Sequence, residues 1–88
     1  MNTKDLFEKE LEKVENDVKI EIDLSFQIAD KICSILRSKG MSQKEFAKKM
    51  QKSEAEISRW VGGTHNFTLR TIAKISEVLG EQIIQVIG

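Results

Sequence analysis

The chain has 88 residues, enough for one domain with a modest core that association often supplements. Forty per cent of the residues are hydrophobic and 32% are charged, with no Pro and five Gly, a globular composition that favours helices. The formal net charge is zero, no apolar run approaches the roughly 18 residues that span a membrane, and one Cys excludes an internal disulfide framework.

The charge is unevenly spread. Residues 1–24 carry eight acids and four bases, whereas residues 25–80 carry five acids and ten bases. The leading part is acidic and the remainder basic, an asymmetry that hints at nucleic-acid contact. The start, MNTKDLFEKELEKVEND, is too polar and acidic for a signal peptide. With the single Cys this points to a reducing cytoplasm.

Leu6, Phe7, Leu11 and Val14 recur at helical spacing and predict an amphipathic helix over residues 3–15. Val18, Ile20 and Ile22 alternate with charged residues as in a strand, yet Val18, Ile22, Phe26, Ala29, Ile32/Cys33 and Leu36 also fit a helix. The helical pattern is preferred, from about Asp17 or Asp23 to Lys39, with Gly40 ending it. Ser42 and Glu45 then form a capping-box pattern ahead of Phe46, Ala47 and Met50. Ser53 and Glu56 repeat it ahead of Ile57, Trp60 and Val61, and Gly62-Gly63 stops that segment. After a short loop, Thr68 caps a last helix with the stripe Leu69, Ile72, Ile75/Ser76 and Leu79, stopped by Gly80. The tail EQIIQVIG is β-branched and predicts a strand over Gln82–Ile87, which would need an edge to pair with. That edge is either the same tail of a second subunit or the chain's own Val18–Ile22.

Two short, separately capped helices joined by a tight turn, residues 42–61, are the unit that lays a helix in the DNA major groove. If Ile57, Trp60 and Val61 face inward, Glu54, Ala55, Ser58 and Arg59 are left to face the groove. An Arg there suits guanine O6 and N7, an Ala the thymine methyl, and a Glu the cytosine amino group. Gln43 opens a helix whose N–H groups favour a phosphate. No cofactor or metal is expected. His65 and Cys33 are the only His and Cys, too few for zinc, and no catalytic constellation accompanies them. Cys33 reads as a small core residue and Trp60 as core.

The segment from Gly40 to Ile84 resembles the xenobiotic-response-element type of helix-turn-helix domain, the class of phage repressors and many bacterial antitoxins. The resemblance rests on Gly40-Met41-Ser42-Gln43, Phe46-Ala47, Ser53, Ile57-Ser58-Arg59, Gly63 and Leu69 through Leu79-Gly80. The string ISRWVGGTHNFTLRTIAKI behind an acidic segment also resembles antitoxins of the HigA type. What this implies is an all-α, five-helix repressor-like domain over residues 23–80. A helical acidic extension over 1–22 precedes it, and a short strand over 81–88, a candidate dimerisation tail, follows it. It implies a cytoplasmic repressor that binds double-stranded DNA as a homodimer, or an antitoxin that blocks a small toxin protein and represses its own operon. Ser53, Glu54, Ala55, Ser58 and Arg59 fall to base contact. Ser42, Gln43, Lys44, Thr64, His65, Asn66, Thr68 and Arg70 fall to the phosphate backbone, with Lys48 adding charge nearby.

The chain departs from the family pattern in three places. Gln51 stands where the turn usually has Gly, a strain of about 1 kcal/mol if its φ is positive. Val61 and Leu36 stand where an ion pair is common, an exchange that is often neutral or stabilising. Glu54 and Glu56 place two acids on the reading helix, which tempers affinity for DNA.

Overall fold

The computed structural model describes residues 15–63 and 65–87. They form four helices: α1 Asn16–Lys39, α2 Gln43–Met50, α3 Glu54–Val61 and α4 Leu69–Leu79. The helix expected over residues 3–15 lies outside the described residues, apart from Glu15, which is extended and precedes α1. The domain therefore carries four described helices where five were expected.

The alternation at Val18, Ile20 and Ile22 is helical after all, and α1 begins at Asn16 rather than at Asp17 or Asp23. Local bonds support its first turns. The Asp17 carboxylate accepts from the Val18 N–H at 2.8 Å, and Gln27 Nε2 donates to Asp23 Oδ2 at 2.7 Å, one turn away. Arg37 and Lys39 complement the dipole in the last turn. Gly40 ends α1 at φ 63°, a left-handed conformation that costs Gly little. Its N–H donates to Arg37 O and that of Met41 to Leu36 O, so two otherwise unpaired carbonyls are satisfied.

The core forms where the C-terminal half of α1 meets the other three helices. It comprises Ile32, Ile35 and Leu36 of α1, Phe46, Ala47 and Met50 of α2, Ile57 and Trp60 of α3, and Ile72, Ile75 and Leu79 of α4. Phe46, Ile32, Ile57 and Ile75 are fully buried, and each such side chain stabilises the fold by about 1.5–3 kcal/mol through loss of apolar contact with water. The N-terminal half of α1 projects beyond this core. Val18, Ile20 and Leu24 are exposed there, because no described element packs over them.

Three expectations about packing are corrected. Leu69 is 76% exposed and does not join the stripe of α4. It is the first helical residue, ahead of the turn that reaches the core at Ile72. Cys33 is half-buried rather than core, since the inward direction of α1 falls on its neighbour Ile32. The tail, finally, forms no strand. Residues 82–87 have no regular secondary structure and no backbone partner among the described residues. Ile83 alone inserts into the core, while Ile84, Val86 and Ile87 are exposed. A strand without an edge has nothing to satisfy its amide groups but water. Glu81 lies 4.0 Å from Lys39, an exposed ion pair that holds the tail's start only weakly.

Candidate nucleic-acid interface

Helices α2 and α3 are set by their caps. Ser42 Oγ accepts from the Glu45 N–H at 3.1 Å, and Ser53 Oγ accepts from the Glu56 N–H at 3.1 Å. Each bond satisfies one of the free donors at a helix start, a contribution of about 1 kcal/mol. The Glu45 carboxylate returns to the Ser42 hydroxyl at 3.4 Å rather than to the backbone. Between the helices, Gln51 adopts φ 59° and ψ 43°, so the strain expected of a side chain at this turn is present. The Gln51 and Lys52 N–H groups donate to Lys48 O and Ala47 O and close the end of α2. The chain then turns sharply enough to start α3 at Glu54.

Burial fixes the outward face of α3. Ile57 and Trp60 are buried, Val61 and Glu56 are half-buried, and Ser53, Glu54, Ala55, Ser58 and Arg59 are exposed. The five residues assigned to base contact thus form one accessible strip on the N-terminal cap and outer side of α3. Val61 packs on the core and lines a shallow depression with Leu36, Cys33, Arg37, Met41 and Gln43. The pair that replaces the family's common ion pair is therefore an apolar contact region, with no buried charge to satisfy.

The residues assigned to the backbone divide into three groups. Gln43 and Lys44 are exposed in the first turn of α2, and Gln43 meets the strip. Gln43 does more than stand at a helix end: its Oε1 accepts a hydrogen bond from Ser58 Oγ at 3.2 Å. Nothing in the local pattern signals this bond, because the two residues lie 15 positions apart on different helices. Ser42 and Thr68 are exposed, but their oxygens are engaged as helix caps. Thr68 Oγ1 accepts from the Thr71 N–H at 3.1 Å and shares a hydroxyl bond with Thr71 at 2.9 Å. Asn66 and Arg70 are exposed around the start of α4. Thr64 lies outside the described residues.

His65 is not a free loop side chain. Its ring is half-buried, with its centroid 5.7 Å from that of Trp60 and 4.7 Å from that of Phe67, edge to face with the latter. Trp60 in turn meets Phe67 at 5.9 Å and Phe46 at 6.3 Å, both edge to face. These contacts join the end of the recognition helix to the loop and to α2. The loop's geometry also depends on Gly63, which has φ 90°, and a Cβ there would lie 2.3 Å from the Phe26 ring. The aromatic packing of His65 went unread because one His between polar loop residues carries no periodic signal.

Two further cations lie near the start of α4. Lys52, in the turn, and Lys74, one helical turn beyond Arg70, line an open groove with Arg70, Trp60 and Leu69. The i, i+4 spacing of Arg70 and Lys74 could have revealed that pair. Among the described residues no group of three or more His, Cys, Asp or Glu could hold a metal ion. No described helix is long and apolar enough to cross a membrane.

A family model described as helix-turn-helix matches residues 34–85, which includes the end of α1, the two capped helices, α4 and the start of the tail. The chain belongs to the helix-turn-helix family. The match is of the xenobiotic-response-element, phage-repressor-like type and makes the protein a DNA-binding transcription regulator. No curated protein and no solved structure matches the chain. The family match begins at Ser34 and so leaves out about the first five turns of α1.

Proposed function

We propose that this regulator is a repressor that reads an inverted-repeat operator as a homodimer, in the cytoplasm and at the nucleoid. The observation that carries the reading is the exposed strip Ser53, Glu54, Ala55, Ser58 and Arg59, with Gln43 meeting it and Lys44 exposed in the same turn as Gln43. Arg59 donates two bonds to guanine, Ala55 packs on a thymine methyl and Glu54 accepts from cytosine N4. Gln43, Lys44, Asn66 and Arg70 hold phosphates on either side and fix register.

Two subunits follow from how little one helix reads. A single recognition helix contacts a few base pairs, too few to pick one site from a genome. The tail supports pairing with a second copy: Ile84, Val86 and Ile87 are 38%, 88% and 97% exposed, and their backbone has no partner among the described residues. Antiparallel pairing about a two-fold axis would satisfy those amides and cover the apolar side chains. Selection from a random duplex library tests the reading. An enriched inverted repeat with half-sites about one helical turn apart, roughly 34 Å, supports it. A single asymmetric half-site, or no enrichment, contradicts it.

A second reading, the antitoxin, is favoured by the N-terminal half of α1, which no described element covers. Ile20 and Leu24 are exposed one turn apart, with the exposed acids Asp17 and Glu21 on the same side of the helix, a face suited to a small basic protein. Co-expression with the product of an adjacent open reading frame tests it. Growth arrest by that product alone, relieved by this chain but not by its Ile20→Lys, Leu24→Lys variant, is the expected result. Arrest that this chain does not relieve contradicts it.

A further inference from the structure

The hydrogen bond between Ser58 and Gln43 joins a residue of the reading helix to one in the first turn of α2. The Ser58 hydroxyl donates and the Gln43 amide oxygen accepts, at 3.2 Å. A serine hydroxyl has one proton and two acceptor lone pairs. With its proton held by Gln43, Oγ is left as an acceptor only. We propose that Ser58 is thereby restricted to bases that present a donor in the major groove, adenine through N6 or cytosine through N4, and that Gln43 imposes the restriction. This rests on the reading surface proposed above.

A serine with a free hydroxyl has no such preference, since it can donate to one base and accept from another. Guanine presents N7 and O6, and thymine presents O4; all are acceptors. Each would meet Ser58's lone pairs unless the Gln43 bond broke. Breaking it matters more in the complex than in the free protein, because the groove excludes the water that would otherwise satisfy both groups.

The same bond orients the other end of Gln43. With Oε1 engaged, the two donors of Nε2 point away from Ser58 and are available to a phosphate. The Gln43 and Lys44 N–H groups lie in the same first helical turn, while that of Glu45 is taken by Ser42. One hydrogen bond thus couples a base choice to the position of the DNA backbone. Flipping the amide would lose both arrangements at once. Ser58 is the base-contacting residue and Gln43 is, for that contact, a positioning residue.

Selection from a random duplex library with four proteins tests this: the natural chain, Ser58→Ala, Gln43→Ala and Gln43→Glu. Both substituted positions are exposed, and circular dichroism melts check that each variant is folded. The natural chain should prefer adenine or cytosine at one half-site position by about fivefold or more. Ser58→Ala should erase that preference and leave the others. Gln43→Ala should lower affinity on every duplex and admit guanine or thymine at that position. Gln43→Glu keeps the acceptor oxygen but not the amide donors, so it should lower affinity while preserving the adenine or cytosine preference. A position that prefers guanine or thymine in the natural chain overturns the proposal. So does a Gln43→Ala variant that loses affinity with the preference intact. If the natural chain enriches no sequence, the reading surface itself fails; if it enriches one that Ser58→Ala does not alter, only this inference fails.

Discussion

Gly63→Ala separates steric crowding from backbone strain at the junction between the recognition helix and its following loop. Gly63 has φ 90°, and an added Cβ would sit 2.3 and 2.4 Å from two carbons of the Phe26 ring. A side chain in a left-handed conformation costs about 1–2 kcal/mol. Overpacking against a ring that must move adds about 1–3 kcal/mol. Reduced freedom of the unfolded chain returns somewhat less than 1 kcal/mol. The net destabilisation is about 2–4 kcal/mol, or a fall in Tm of roughly 10–20 °C for a domain of this size. Gly80 supplies the control. It has φ 68°, but nothing lies within 4 Å of its Cβ position, so Gly80→Ala should cost only about 1 kcal/mol. Thermal melts followed by circular dichroism compare the two. Adding Phe26→Ala to Gly63→Ala should remove the steric part, so that the double variant costs less than the sum of the singles. Equal melting of the Gly63→Ala and Gly80→Ala chains would refute the placement of Phe26 against this loop.

Three further outcomes are expected. Lys44→Ala should weaken binding on every duplex and reduce the salt slope by about one, whereas Gln43→Ala should weaken binding with an unchanged slope, because it removes no charge; anisotropy titrations at several salt concentrations distinguish them, and equal slopes for both contradict Lys44 as a phosphate contact. Removing residues 84–88 spares Ile83 and should give a helical monomer with reduced operator affinity in sedimentation at several concentrations; a truncated chain that stays dimeric would sink pairing through the tail. Phe46→Ala should cost about 3–5 kcal/mol, since Phe46 is fully buried, and denaturant unfolding would measure it; a loss below 1 kcal/mol would contradict the assignment of Phe46 to the centre of the core.

The legible parts of this fold are those encoded within a few residues. Ser42, Ser53 and Thr68 all cap helices, as their spacing implied. Gly40 and Gly80 both end helices in a left-handed conformation, and Gln51 accepts that conformation without being Gly. The outward face of α3 followed from three apolar positions, because a helix eight residues long has only one way to bury them. What was hidden depends on packing between distant segments. The alternation near Val18 could not reveal that no strand lies beside it among the described residues. The apolar tail has a strand-like pattern, yet among the described residues it finds one socket, for Ile83, and no edge. Leu69 matched the period of α4 but precedes the turn that touches the core. At the site, exposure of Glu54, Ala55, Ser58 and Arg59 was readable from periodicity, while Ser53 entered through the family resemblance. The ring packing of His65 and the bond from Ser58 to Gln43 were not, since both arise from how α2, α3 and the loop are set against each other.

Base reading by the exposed strip of α3 is tested most directly at Arg59. Fluorescence anisotropy would compare the natural chain and Arg59→Ala on the selected duplex and on a scrambled duplex at one salt concentration. The expected loss is about 1–3 kcal/mol on the selected duplex, with a much smaller loss on the scrambled one. Equal weakening on both would make Arg59 a phosphate contact, and no weakening on either would remove α3 from the interface.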